Sequence, residues 1–248
     1  MSESIGKQFM QRTSFAFLEP SLQSQGLPQP PLELDYDPAA KLISLPKPEE
    51  LPEYPIELRQ AIEQRITQRK YSQTPLSLSE LSYLLWCTQG VKRVTRTSTL
   101  RTVPSAGARH ALETYLLINR VEGLEPGLYR FIALEHALLP LELNPEIANR
   151  IMHACDDQPQ ITQSAVTFIW VAVRERMYWR YGERGYRYLH LDAGHVCQNL
   201  YLSAEAIGSG VCAIAAFDDD GMNRVLKLDG EEQFVIYLGA LGKKVKPG

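Results

Sequence analysis

WRYGERGYRYLHLDAGHVCQNLYLSAEAIGSG, residues 179–210, contains the longest helical pattern in the chain. Within 187–207, Leu189, Ala193, Val196, Leu200 and Ile207 share one face, and the other sides are also apolar or small. A helix apolar on several sides is buried, in a core or in a subunit interface. Gly208-Ser209-Gly210 ends it. Strands stand on both sides of it. AVTFIWVAV (165–173) is a nearly continuous apolar run with β-branched residues, the pattern of a central strand. VCAIAAF (211–217) reads as a strand or extended loop, and FVIYLGAL (234–241) as the last strand.

Working outward, LETYLLIN (112–119) and GLYRFI (127–132) read as two further strands joined by the turn EGLEPG. Leu58, Ile62 and Ile66 recur every four residues, which predicts an amphipathic helix ending near Arg69. Ser77 and Glu80 form a capping box for a helix that Gly90 stops. Residues 91–103 are polar and basic and read as a loop. Asn144-Pro145 opens another helix, and Asp218 to Asp220 cap one carrying Met222, Val225 and Leu226. Helices and strands mix without strict βαβ alternation, so the class is α+β.

Residues 1–55 differ from the rest. They hold nine of the 16 prolines, and proline fixes φ and lacks a donor. They read as an N-terminal arm, laid over the domain or a partner or left as a loose tail; residues 56–248 form the domain proper.

The 248 residues suffice to bury a core without disulfides or metal. A formal net charge of −3 and the lack of a basic run argue against a nucleic-acid partner. Cys87, Cys155, Cys197 and Cys212 form no C-x-x-C pair and read as reduced thiols. The N-terminus lacks a signal-peptide pattern, and no apolar run approaches the ~18 residues of a membrane span. A cytoplasmic protein is expected. No G-x-G-x-x-G follows a strand, no P-loop occurs, and no G-x-S-x-G occurs. His190 and His195 are five apart, on different faces of a helix, so no metal site is expected there.

EQRITQRKY (63–71) places Arg65, Thr67 and Arg69 close together. On a helix the two arginines would be an i,i+4 like-charge pair, unfavourable unless an anion relieves it. Guanidinium forks and a hydroxyl suit a phosphate monoester; basic residues at a helix C-terminus also complement its dipole. In VPSAGARHALETYL (103–116), Pro104, Ser105, Ala106 and Gly107 are small and turn-prone, and Arg109 follows.

The first of these segments resembles the R-x-[ST]-x-[RK] phosphate-binding entry of nitroreductase-superfamily flavoproteins, with Ile66 where many relatives have a second arginine. PLSLSELSYLLWCTQGV (75–91), VPSAGARHALETYL, EGLEPGLYRF (122–131), the 179–210 block and GSGVCAIAAFDDD (208–220) resemble, in order, the motifs of the SagB/ThcOx-type branch. The matches cover about residues 56–243.

The resemblance implies a nitroreductase-like fold: a mainly antiparallel sheet flanked by helices, in an intertwined homodimer with FMN at each of two interface sites. It implies that Arg65, Thr67 and Arg69 hold the phosphate. The 104–107 loop and the backbone of Ala213, Ile214, Ala215 and Ala216 would approach the flavin ring. Arg109 or Lys243 would supply a nearby cation. The family's Lys-Tyr pair reads Arg180-Tyr181 here, and a guanidinium cannot act as a base as lysine can. Tyr181 is the candidate proton donor or acceptor. The family's asparagine near the flavin is replaced by Gly107-Ala108. Two activities are implied: oxidation of a peptide azoline, and NAD(P)H-dependent reduction of a nitro compound or quinone. Arg180 in place of the lysine leaves open a reading of another class, a flavin- or partner-binding scaffold without turnover.

Overall fold

A computed structural model describes residues 4–245. The first three residues of the arm and the last three of the chain lie outside the described residues. The strands are β1 (Ile43–Ser44), β2 (Val91–Val94), β3 (Thr99–Arg101), β4 (Leu112–Ile118), β5 (Gly127–Ile132), β6 (Ala137–Glu142), β7 (Val166–Val173), β8 (Ser209–Ile214) and β9 (Gln233–Lys243). The helices are α1 (Ile5–Arg12), α2 (Leu58–Gln64), α3 (Leu78–Gln89), α4 (Ile147–Ala154), α5 (Gln160–Gln163), α6 (Arg174–Tyr181), α7 (Gly185–Ala206) and α8 (Asp219–Leu226).

Seven strands form one sheet in the order β1-β6-β5-β4-β7-β9-β8. Every neighbouring pair is antiparallel. The period of two along β7 shows how the core is built. Val166, Phe168, Trp170 and Ala172 face one layer with α3 and α7, whereas Ile169 and Val171 face the other with α4 and α8. Phe168 and Trp170 are fully buried, each worth roughly 2–3 kcal/mol of apolar transfer. The class is α+β, as expected, and β7 is central. Helix α7 contributes Leu189, Ala193, Val196 and Leu200 to the core. The Ser77–Glu80 capping box is formed at the start of α3. All four cysteines are free. Among the described residues no helix is long and apolar enough to cross a membrane.

Two local readings need correction, and one strand goes unread. Helix α2 stops at Gln64, not near Arg69, because Thr67 forms a parallel bridge with Val211 and Tyr71 an antiparallel one with Lys244. Backbone pairing to the sheet edge wins over helical continuation. Leu58 and Ile62 of α2 and Ile66 just past its end are 64%, 53% and 57% exposed, and Ala61 is the residue that α2 buries. Residues 91–103 are not simply a loop: β2 and β3 pair as a hairpin. Strand β6 carries Pro140 beside a register shift, which masks it in the sequence.

The arm is fastened to the domain. The Trp179 carbonyl accepts the Gln23 N–H at 2.8 Å, and its indole N–H donates to the Leu27 carbonyl at 2.9 Å. Arg176 donates to the Pro31 carbonyl at 2.8 Å. The carboxylate of Glu33 accepts the N–H groups of Ala133 and Leu134. Glu113 accepts the Leu34 N–H at 2.9 Å and pairs with the buried Arg176 at 2.6 Å. Further along, β1 extends the sheet and Leu45 enters the core.

Candidate functional site

The segment after α2 runs along β8, the edge strand of the sheet. The Gln68 N–H donates to the Val211 carbonyl at 2.8 Å. Gly210 is required there, since a Cβ on it would lie 2.6 Å from that of Gln68. Tyr71 donates its hydroxyl to the Gln68 and Ala240 carbonyls, which pins the end of the segment. Arg65, Thr67 and Arg69 are thereby set beside β8. The Arg65 guanidinium lies 5.3 Å from the ring centroid of Tyr201 on α7. The Thr67 hydroxyl is 3.4 Å from the Tyr201 hydroxyl, which accepts the Ala213 N–H at 3.0 Å. Arg69 reaches the Cys212 thiol. Outward-facing amides alternate along an edge strand, and past Ile214 the exposed residues Ala215 and Ala216 continue the same border. The Ala216 carbonyl accepts a bond from Gln158.

A second cluster forms around the 104–109 loop. Gly107, Ala108 and His110 all have positive φ, at 57°, 52° and 43°. A Cβ on Gly107 would lie 2.4 Å from the Tyr181 hydroxyl and 2.8 Å from Arg180 Nε. The loop and the Arg180-Tyr181 pair are therefore in contact. Arg109 donates to the Gly107 and Thr97 carbonyls, both at 3.1 Å, and its guanidinium lies 5.4 Å from the Trp179 ring centroid. Burial, then the Arg180 charge, pushes the Arg109 pKa down. Ser105 accepts the His110 N–H at 2.9 Å, and the Ala106 N–H donates to Asp192 at 3.3 Å. Pro104 is exposed at the loop's start. Tyr181 packs edge-on against Tyr188, with ring centroids 4.8 Å apart.

Lys243 belongs to neither cluster. Its ammonium pairs with Glu80 and donates to the Ile207 carbonyl at 2.6 Å, fastening the end of α7 to the start of α3. Lys244 pairs with the buried Glu205.

The two clusters do not meet within one chain. Asp192 and Tyr201 are nine residues apart on α7, about 14 Å along the axis and about half a turn around it. Two residues that organise the clusters, Tyr201 and Asp192, were not singled out from the sequence. The signal for Asp192 was available: it is a carboxylate between Leu189 and Val196 on the most apolar face of the helix.

Residues 62–243 match the nitroreductase family model. The chain belongs to the nitroreductase family. A protein of Methanocaldococcus jannaschii provisionally named a nitroreductase, MJ1384, is 35% identical over 204 residues, 82% of this chain and 97% of that protein. The trifolitoxin-processing protein TfxB of Rhizobium leguminosarum bv. trifolii is 29% identical, over 52% of this chain and 36% of its own length. The microcin B17-processing protein McbC of Escherichia coli is 26% identical, over 53% of this chain and 50% of its own. These two fit the SagB-type branch. A solved structure from Anabaena variabilis, provisionally named a nitroreductase, superposes with a TM-score of 0.68 at 27% identity, covering 84% of this chain and 42% of that one.

Proposed function

We propose that this nitroreductase-family chain is an FMN-dependent oxidoreductase that works as a homodimer. The observation that carries the reading is the convergence of Arg65, Thr67 and the Ala213 amide on Tyr201. Two guanidinium groups and a hydroxyl beside an edge strand are the donor set for a phosphate monoester. The small side chains of Ala213, Ala215 and Ala216 let a planar ring lie against this backbone, while Ile214 is buried in the core. Bound FMN would supply the redox chemistry, exchanging hydride at N5 with a small or peptide substrate.

The chain's own residues would do the rest. Arg65, Thr67 and Arg69 hold the phosphate. The Gly107 loop presents backbone with no side chain to block close approach. Tyr181, with Arg180 beside it, holds or moves a proton at its phenol oxygen. Arg109 is committed to two carbonyls and orders the loop. Because α7 separates the clusters, a second copy supplying the 104–109 loop to the Arg65 site accounts for both. The exposed Leu58, Ile62 and Ile66 are the apolar surface such a pair would cover.

The test is the absorption spectrum of the purified protein. Wild type is expected to carry flavin, and Arg65→Ala/Arg69→Ala to lose it. A colourless wild-type protein that takes up no FMN overturns the reading. Anaerobic NADPH then separates the substrate classes. Rapid bleaching supports reduction of a nitro compound or quinone; flavin unreactive to NADPH but reduced by an azoline-containing peptide supports the processing activity suggested by the names of TfxB and McbC.

A further inference from the structure

The 104–110 loop carries more strain than one glycine explains. Ala108 and His110 are both left-handed, which costs an L-residue about 1–3 kcal/mol and persists only where the surroundings over-determine it. The fixing bonds lead to one carboxyl. Asp192 is 4% exposed and stands on α7, among the core residues Leu189, Ala193 and Val196. It accepts the Ala106 N–H at 3.3 Å, and the Ser105 side chain stands beside it. Ser105 accepts the His110 N–H at 2.9 Å, so the loop is closed on itself from 105 to 110 and tied to the carboxyl at Ala106.

Asp192 is also an expensive residue to bury. Its Oδ2 is fully buried without a hydrogen-bond partner. Burial raises its pKa, against the Ser105 side chain, the Ala106 bond and the His195 ring, whose Nδ1 is 4.0 Å from Oδ1. Half-satisfied buried carboxyls are rare in folded proteins, and an apolar residue would pack here at less cost. What the carboxyl supplies is direction. It ties a strained loop to the longest helix of the domain, and that loop seats Gly107 against Tyr181 and Arg180.

We propose that Asp192 is a positioning residue: through Ser105 and Ala106 it holds Gly107 against Tyr181 and Arg180. The part of this role that concerns turnover rests on the flavin reading above; the clamp itself does not.

Amide hydrogen exchange and steady-state kinetics test the two parts separately, on purified protein reconstituted with FMN. Asp192→Ala is expected to raise exchange across 104–110 about tenfold, leave 65–71 and 211–216 unchanged, and lower kcat with little change in KM. Asp192→Asn keeps an acceptor oxygen and is expected to return exchange to within about twofold of wild type. Ser105→Ala is expected to loosen residues 108–110 and gives a second route should Asp192→Ala fail to fold. Native exchange in Asp192→Ala, or no rescue by asparagine, overturns the clamp. A loosened loop with native kcat overturns its role in turnover while leaving the flavin reading intact. If the wild-type chain takes up no FMN, exchange in that same chain still decides the clamp, and only the flavin reading falls.

Discussion

Gly107 and Tyr181 are packed so closely that a methyl group at position 107 would fall 2.4 Å from the phenol oxygen. The two residues are 74 positions apart, on a loop and at the end of α6. Gly107→Ala is expected to displace the tyrosine and to add a left-handed alanine, at a combined cost of about 1–3 kcal/mol. Removing the hydroxyl should relieve part of the clash. In a double-mutant cycle with Tyr181→Phe, read by urea denaturation, the two changes should therefore be less than additive. Strict additivity would show that the contact is not felt.

Tyr201 is expected to matter through its oxygen. Tyr201→Phe leaves the ring under Arg65 and removes the acceptor of the Ala213 N–H. The expected loss is about 1 kcal/mol of stability, with weaker FMN binding in a fluorescence titration. Unchanged affinity would show that this tyrosine does not order the phosphate-binding residues.

The arm should depend on Glu113. This carboxylate pairs with Arg176 at 3% exposure and holds the Leu34 N–H. Glu113→Ala leaves a buried guanidinium without its counter-charge, a loss of about 3–5 kcal/mol. Glu113→Gln keeps an acceptor and should cost less. Limited proteolysis should cut the alanine variant first within residues 20–35.

His110 sets a pH dependence. Burial, then the charges of Arg101 and Arg109, push its pKa down to about 3 from 6.5. A depressed histidine favours the folded state when neutral. Its contribution is therefore complete above about pH 6.5 and lost as pH falls through about 3. Asparagine tolerates the left-handed backbone and does not titrate, so His110→Asn should flatten stability measured by urea between pH 6.5 and 3.5. An unchanged slope would assign the acid sensitivity to other groups.

Strand β7 was legible because burial on both faces leaves an unbroken apolar record, and helix α7 because Leu189, Ala193, Val196 and Leu200 repeat along its buried face. The end of α2 was not, since the bond that stops the helix comes from Val211, far along the chain. The β2–β3 hairpin was hidden by its polar and basic side chains: backbone pairing holds it, and no apolar alternation marks it. Arg65, Thr67, Arg180 and Tyr181 were visible as motifs, but the carboxyl and the phenol that organise their neighbours were not. The resemblance makes Lys243 a candidate cation near the flavin; in the fold it pairs with Glu80, 163 positions away.

The run from Arg65 to Tyr71 has one more consequence. It lies along the border of the sheet at β8, where an unpaired strand would offer its amides and carbonyls to any passing chain. The residues suited to gripping an anion thus double as a seal against edge-to-edge aggregation. Lesions that unhook this run are expected to give insoluble protein before they give a soluble, inactive one. A screen that scores only the soluble fraction would then undercount how much this short stretch matters.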